Sequence, residues 1–393
     1  MPTPIPRRIL PAIAVSQFAG TSLWFATNAV MGDLQRAAAL PASAVGWLTA
    51  AVQLGFIAGT FAFALLAIAD RYSPRKVFLA CALAGAALAV FTALLPPHLT
   101  SLLALRLLTG VCLAGIYPVG MKIAAGWFAA PKGLGWALGV LVGALVLGTA
   151  LPFALRALGA RWQWPSVLLA VAAVAALGGL LMALAVPDGP HLAPAARITP
   201  RALGVIWHDR RLRASAFGYF GHMGELYALF VLLPMIVALR WQGAAASWWV
   251  FAAIGGGLFS CVAGGWLARH FGGARVAAAQ LACSGLCALL APWMLEAPVP
   301  AWAIWLLVWG ATASGDSPQF SALTAGNAPR EMVGSVLTFV NAIGFSISVA
   351  TIALFATLAT LAPLAWVLPG LAVGPAIGLV FLRPLLRPSV AAR

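Results

Sequence analysis

Long uninterrupted runs of apolar residues are the main feature of this sequence. Each run is about 20 residues or longer, the length that a helix needs to cross the hydrocarbon core of a bilayer. Strands of a membrane barrel would be about 10 residues long with alternating polarity, so the pattern predicts helices. Twelve transmembrane helices are predicted, at residues 9–31, 43–68, 77–95, 99–126, 134–156, 164–186, 212–238, 247–268, 275–295, 301–324, 333–357 and 363–383.

Composition agrees with an integral membrane protein built only from α-helices. Of the 393 residues, 63% are hydrophobic and 8% are charged, whereas soluble domains carry about 25% charged residues. All five cysteines lie inside predicted spans, so we interpret them as packing residues rather than disulfides or metal ligands. The first run is longer than the apolar region of a signal peptide and lacks a small-residue cleavage site after it, so we expect it to be retained.

The net charge of +15 is explained by topology. With the N-terminus inside, seventeen Lys and Arg residues fall in inside connections and four in outside connections. This bias predicts that both termini are cytoplasmic, and it requires no nucleic-acid partner. The inside residues are Arg7, Arg8, Arg71, Arg75, Lys76, Lys132, Arg197, Arg201, Arg210, Arg211, Arg213, Arg269, Arg275, Arg330, Arg383, Arg387 and Arg393, and the outside ones are Arg36, Arg156, Arg161 and Arg240.

An internal repeat divides the chain into two halves. Gly110, Gly115 and Pro118 recur 200 positions later as glycine, glycine and proline, with Asp316 where the first copy has Ile116. Two loops repeat at nearly the same offset: residues 69–76 match 268–275, and residues 130–132 match 328–330. The sequence therefore predicts two pseudo-symmetric six-helix halves, at residues 1–186 and 214–393, joined by a cytoplasmic linker at residues 187–213. Part of this linker, Ile198 to His208, is a candidate surface helix.

This organisation resembles the major facilitator superfamily over the whole chain. Besides the twelve spans, the resemblance depends on the turn Asp70-Arg-Tyr-Ser-Pro-Arg-Lys76 and on Arg106 followed four residues later by glycine. In the family's turn a glycine precedes the acid by four positions, and here that position is Leu66. The signatures of drug antiporters, sugar porters and nitrate porters are not found, so the resemblance does not identify a substrate.

The resemblance also implies a cytoplasmic gate. In the family the acid of this turn holds the inner gate shut, which here assigns that role to Asp70 with Arg71, Arg75 and Lys76. Its expected partner is the N-terminal end of helix 11, near Gly334 and Ser335, where a carboxylate is favoured by the helix dipole. The alternative is a basic turn that only sets topology.

Two of the eight acids lie within spans, Glu225 in helix 7 and Asp316 in helix 10. Acids at membrane depth are costly and usually face a protein interior or a watery cavity. Partial desolvation there favours the protonated form, which suits a proton carrier. The alternative is a structural acceptor or a partner for a buried cation. His222 precedes Glu225 by three positions and therefore shares a helix face with it, which suits a proton relay or an oriented histidine.

Two cations also fall within a span, Arg106 and Lys122 on helix 4. Lys122 lies near the cytoplasmic end, where it can extend to the interface. Arg106 lies deeper, and we expect its guanidinium to meet a carboxylate or an anionic ligand. In the resembling fold, helices 1, 4, 7 and 10 line the cavity, which makes further residues candidate ligand contacts unless they only bond helices together. These residues are Asn28, Tyr117, Tyr227 and Gln319.

The resulting hypothesis is a secondary transporter of the bacterial inner membrane that works by alternating access. We expect a monomer that carries a small solute, with protons as the coupling ion. Arg106 and the scarcity of acids favour an anionic solute, while the aromatic and apolar content leaves a drug efflux antiporter open. A non-transporting receptor is the other alternative. No enzyme activity, cofactor or metal is expected, because no nucleophile–base pair, metal-ligand set or nucleotide-binding loop is found.

Overall fold

In the computed structural model, residues 5–128, 134–192 and 199–386 are described. Every regular element within these ranges is helical. Some predicted features lie outside the described residues: the loop copy at 130–132 with Lys132, and the inside cations Arg197, Arg387 and Arg393.

The described residues of the first half form nine α-helices and one short 3₁₀ helix at Asn28–Val30. The α-helices are α1 (Ile9–Thr21), α2 (Met31–Ala38), α3 (Ala44–Leu65), α4 (Ile68–Arg71), α5 (Pro74–Leu94), α6 (Leu99–Ala114), α7 (Tyr117–Trp127), α8 (Leu134–Leu158) and α9 (Trp164–Ala185).

The rest of the described chain forms ten α-helices, with 3₁₀ turns at Arg330–Met332 and Leu368–Ala372. The α-helices are α10 (Arg201–His208), α11 (Arg210–Ala238), α12 (Gly243–Gly255), α13 (Gly257–Phe271), α14 (Gly273–Met294), α15 (Val299–Gly315), α16 (Ser317–Asn327), α17 (Val333–Leu361), α18 (Leu364–Val367) and α19 (Val373–Leu386).

The predicted all-α membrane architecture is confirmed, and the described helices agree with twelve spans. Ten helical segments in the described ranges are long and apolar enough to cross a membrane. The other two predicted spans are helical but interrupted. The first is broken between Thr21 and Asn28, and the tenth is broken at Asp316. α11 begins at Arg210, inside the segment that the sequence assigned to the linker.

The break in the tenth span has a counterpart in the fourth span. α6 ends at Ala114 and α7 begins at Tyr117, while α15 ends at Gly315 and α16 begins at Ser317. In both copies a proline is the second residue of the new helix. Proline lacks the N–H that would continue the ladder and clashes with the carbonyl four residues earlier, so the helix restarts there. The sequence repeat therefore produces a repeated discontinuity.

Two glycines of the repeat allow equivalent helix pairs to approach closely. A Cβ on Gly110 would lie 2.1 Å from the Val52 carbonyl oxygen of α3, and one on Gly310 would lie 2.1 Å from the Ala253 carbonyl oxygen of α12. Small residues permit such close approach, which is the main source of helix packing in membranes. The pair α3–α6 in the first half thus corresponds to α12–α15 in the second.

The two halves meet along two long seams. α3 packs along α17, and α8 packs against α12 and α13. Along the first seam, a Cβ on Gly46 would lie 2.7 Å from Ala356 Cβ. Further along it, the rings of Phe61 and Phe339 have centroids 6.0 Å apart. The seams hold the inner faces of both halves together around a common centre.

The connection between the halves packs on one end of the bundle. α10 contacts α11 and α17, and its Ala202 and Ile206 side chains are buried. We call this end of the bundle the linker end. It also carries Asp70 and Asp188, and the Ser73 hydroxyl donates to Asp188 Oδ1 at 2.9 Å. The other end, with the Asp33–Arg156 ion pair of 2.8 Å, is called the opposite end.

Candidate functional site

A buried His–Asp pair lies at the break of the tenth span. His222 of α11 places its Nδ1 2.7 Å from Asp316 Oδ1, and the two side chains are 1% and 0% exposed. His222 Nε2 and both carboxylate oxygens of Asp316 have no hydrogen-bond partner among the described residues, so the 2.7 Å contact is an ion-pair contact without hydrogen-bond geometry. Buried polar atoms are normally paired, so the open positions are suited to a proton, a water or a polar solute atom.

Glu225, one turn further along α11, is held by a different set of partners. The Ser284 hydroxyl of α14 donates to Glu225 Oε2 at 2.8 Å, and the Trp309 indole N–H of α15 donates to Oε1 at 2.7 Å. The sequence spacing predicted a His222–Glu225 pair, and in this respect it was wrong: His222 contacts Asp316 instead. Glu225 is a fully bonded acceptor in the seam between α11, α14 and α15.

Aromatic rings from both halves meet next to these acids. We call Trp24, Phe56, Tyr227 and Phe345 the central aromatic cluster; they come from the first span, α3, α11 and α17. Trp24 stacks on Tyr227 and on Phe345 with centroid distances of 5.8 Å in each case. Phe56 contacts Phe345 at 4.5 Å. Because these rings are contributed by opposite halves, they close the centre of the protein.

Tyr117, a predicted ligand contact, extends the central aromatic cluster toward α7. Its ring stacks on Phe56 with a centroid distance of 6.3 Å. Trp24 contributes a polar atom as well, because its buried indole N–H has no hydrogen-bond partner among the described residues. The cluster is therefore aromatic with at least one free donor.

The break in the first span is bonded to Arg106. The guanidinium of this α6 residue donates to the carbonyl oxygens of Leu23, at 3.0 Å, and of Trp24. These carbonyls lie in the turn after α1, where the helix ladder is interrupted. The sequence led us to expect a carboxylate or an anionic ligand at Arg106, and the structure instead shows two backbone acceptors. Interrupted helices commonly have their freed carbonyls satisfied in this way.

The two predicted amide contacts, Asn28 and Gln319, have their own neighbours in the structure. The side-chain N–H₂ of Asn28 donates to the Thr49 hydroxyl of α3 at 2.8 Å. Gln319 packs near the start of α14, since its Oε1 would lie 3.5 Å from a Cβ on Gly273. Asn28 thus bonds the first span to α3, in accordance with the alternative of amides that connect helices.

At the linker end, the structure gives Asp70 a partner that the sequence did not predict. Lys122 of α7 donates to Asp70. The side chains are 26% and 25% exposed, so this pair is partly solvated. Lys122 therefore pairs with an acid, where the sequence predicted an extension to the interface. The sequence placed the partner of Asp70 near Ser335. The Ser335 hydroxyl accepts from the Thr199 backbone N–H at 3.1 Å.

The other three residues of the predicted gate differ in their surroundings. Arg75 lies 3.9 Å from Asp188 and donates to the Ala183 carbonyl at 3.0 Å, so it connects α5 to the end of α9. Arg71 and Lys76 are exposed. The turn therefore makes contacts within the first half of the chain through Asp70 and Arg75.

Ser284, Trp309 and Trp24 were missed by sequence reasoning. Ser284 and Trp309 contact Glu225 from other helices, and such contacts leave no spacing signal in the chain. Trp24 lies in the interrupted part of the first span, where helical spacing gives no signal for its position. Among the described residues, no group of three or more His, Cys, Asp or Glu side chains could hold a metal ion.

These features define a multi-pass membrane protein with two helical halves and interrupted helices at its centre. The chain belongs to the Major Facilitator Superfamily, because that family's model matches residues 10–353. The predicted family is thereby confirmed, and with it the general class of secondary transporter. Comparison with curated proteins finds no significant match.

The fold is similar to that of many solved structures. One is the crystal structure of the human organic anion transporter MFSD10 (TETRAN), which has a TM-score of 0.71 and 17% sequence identity. The match covers 97% of this chain and 100% of the human one. At this identity the likeness establishes a shared fold.

Proposed function

We propose that this protein is a proton-coupled transporter of a small organic anion, with the His222–Asp316 pair as the proton-binding group. The observation that carries the proposal is the burial of this pair at a helix break, with His222 Nε2 and Asp316 Oδ2 left unbonded. Ionisable groups inside a membrane are rare and tend to belong to transport pathways.

Electrostatics gives a reason for coupling. An anion that enters beside a deprotonated Asp316 is repelled, whereas protonation of the His222–Asp316 pair removes this repulsion. Like charges at close range in a low dielectric interact strongly, so proton and anion each favour binding of the other. Such mutual coupling is reciprocal by necessity. The proposed mode is therefore symport, with alternating access by movement of the two halves about the centre.

Positive charge in the first half supports an anionic solute. Arg106 is buried and bonded to the backbone carbonyl of Trp24, whose ring belongs to the central aromatic cluster. The structurally similar MFSD10 is described as an organic anion transporter, which agrees with this choice. Tyr117 and Tyr227, with the Trp24 indole N–H, are proposed contacts for the solute, and Glu225 is proposed as the second acid of the coupling region.

The aromatic rings favour a second candidate function. The central aromatic cluster offers stacking surface from both halves, and aromatic surface is typical of sites for hydrophobic ligands. A drug-like compound is therefore the alternative solute. A stabilisation screen of the purified protein against organic acids, oxyanions and hydrophobic drugs separates the two candidates, because the true solute class raises the unfolding temperature.

We propose the inner membrane as the location, with a monomer whose termini, linker (residues 187–213) and gate are cytoplasmic. The seventeen-to-four distribution of basic residues supports this orientation. It places the linker end in the cytoplasm, where the Asp70–Lys122 pair and Arg75 would stabilise the inner gate. Residues 1–186 and 214–393 would then be the moving halves.

Uptake by proteoliposomes tests the coupling. With the solute class identified by the screen, Asp316→Asn and Glu225→Gln are expected to lose accumulation driven by a pH gradient while they retain counterflow exchange. Glu296→Gln, which alters an exposed acid in a loop, is the matched control and should behave as the unaltered protein. If Asp316→Asn accumulates solute normally, the proton-coupling proposal is wrong.

A further inference from the structure

Arg106 is a buried cation without a counter-charge. Its side chain is 2% exposed, and its Nε has no hydrogen-bond partner among the described residues. All eight acids of the chain are described, and none lies within ion-pair distance of the guanidinium. The Leu23 and Trp24 carbonyls provide partial negative charge only. A buried charge without a counter-charge is strongly destabilising.

A small cavity lies beside this guanidinium, within the first half of the chain. It measures about 10 Å³, which is close to the smallest size that holds one water, so a charged occupant would have to be a single atom. Its polar lining consists of Arg106, Thr27, Thr92 and Thr109, and Ala89 and Leu168 are among its apolar wall.

Of the three threonines, Thr27 has the free hydroxyl. Thr92 donates to the Leu88 carbonyl at 2.8 Å and Thr109 to the Leu105 carbonyl at 2.7 Å. The Thr27 hydroxyl, in contrast, is buried without a partner among the described residues. The cavity thus offers two unused donors, one of them charged, and no carboxylate. This combination is selective for a negative occupant.

We propose that this cavity binds one monatomic inorganic anion of the halide class, held by the Arg106 Nε–H and the Thr27 hydroxyl. The site is distinct from the proposed proton-binding pair. Its walls come from the break in the first span and from α5, α6 and α9, whereas His222 and Asp316 belong to the second half. A polyatomic organic solute does not fit a volume of this size.

An anion bound in this cavity would hold the interrupted part of the first span in place. The same guanidinium that faces the cavity bonds the carbonyl of Trp24, and the Trp24 ring stacks on Tyr227 of the other half. An anion that neutralises Arg106 therefore stabilises the position of a ring in the central aromatic cluster. This makes the halide a structural effector of the transporter rather than its cargo.

Binding is tested on the purified full-length protein without any transport measurement. Thermal unfolding is followed in sodium chloride, sodium bromide and sodium gluconate at equal ionic strength. The halides are expected to raise the unfolding temperature in a saturable way, while gluconate is too large to enter. In crystals grown with bromide, the anomalous signal is expected to show a peak between Arg106 and Thr27.

Two threonine variants distinguish the site from a general salt effect. Thr27→Val keeps the side-chain shape and removes the free hydroxyl, and it should weaken halide affinity about tenfold or more, as for loss of one hydrogen bond to a charged group. Thr149→Val removes a buried hydroxyl that bonds the Leu145 carbonyl on α8, away from the cavity, and should leave affinity unchanged. Both variants are expected to fold, because the exchange is close to isosteric.

The proposal is overturned if the unfolding temperature is the same in halide and gluconate, or if the bromide peak is missing and only a water occupies the cavity. Equal halide affinity in Thr27→Val and the unaltered protein overturns it as well. These outcomes are independent of proton coupling, since they depend on binding alone.

Discussion

The hydrogen bonds of Glu225 lead to a prediction that separates its structural contribution from its charge. Replacement by alanine removes both acceptors at once. The Trp309 N–H then remains buried without a partner, whereas the Ser284 hydroxyl can retain its second bond to the Leu281 carbonyl at 3.1 Å. An orphaned buried donor costs about 1–3 kcal/mol. With the lost packing of the side chain, we expect Glu225→Ala to lower the free energy of unfolding by about 2–4 kcal/mol.

Glu225→Gln is expected to be nearly neutral for stability. The amide oxygen can accept from the Trp309 N–H, and the amide N–H₂ can donate to Ser284 Oγ. Because Ser284 already has the Leu281 carbonyl as an acceptor, its hydroxyl can reorient and no donor is left unpaired. The expected loss is therefore about 1 kcal/mol or less. This variant keeps the hydrogen-bond geometry but cannot release a proton.

SDS titration of the full-length protein, followed by tryptophan fluorescence, measures the two unfolding free energies. The alanine variant should be less stable than the glutamine variant by about 2 kcal/mol. Equal stabilities would refute the reasoning, because they would mean that Trp309 and Ser284 do not depend on the carboxyl group. Gradient-driven uptake by the glutamine variant then reports on the charge alone.

Two further variants test the packing and the linker end. Gly310→Ala places a methyl group 2.1 Å from the Ala253 carbonyl oxygen and should cost about 1–3 kcal/mol or more in unfolding free energy; Gly326→Ala, with no atom within 4 Å, is the control and should cost nothing measurable. Lys122→Met removes the cation that pairs with Asp70, whose side chain is partly solvated. We therefore expect the free energy of unfolding to fall by about 1 kcal/mol or less. The transport rate should change more clearly. A larger loss of unfolding free energy in Lys122→Met, measured by the same SDS titration, would contradict this expectation.

Local rules were sufficient to predict the spans, although the tenth was predicted as a continuous helix and is broken at Asp316. Length and apolarity define a membrane helix because every backbone polar group must be bonded inside the segment. A proline at positions 118 and 318 interrupts that bonding in both halves. The break in the first span is different, since no proline causes it. Its carbonyls accept hydrogen bonds from Arg106 of another helix. The hydropathy pattern does not indicate that contact.

The pairing of acids and histidine was beyond sequence reasoning for a related reason. A spacing of three positions made Glu225 the natural partner of His222. Asp316 is 94 positions from His222, and only the close packing of α11 on α16 brings the two together. Meanwhile Glu225 is occupied by Ser284 and Trp309, which are not ionisable and were not considered. Tertiary contacts therefore determine that His222 pairs with Asp316 and not with Glu225.

The repeat explains how one fold carries opposite charges on its two sides. At the equivalent helix break, the first half has a buried Ile116 and the second half has Asp316. Deep positive charge belongs to the first half through Arg106, and deep acids belong to the second through Glu225 and Asp316. We propose that the first half favours an anion at the centre, whereas the second half repels it until its acids are protonated. Under the proposed mechanism, proton binding is the event that lets both halves close on the same solute.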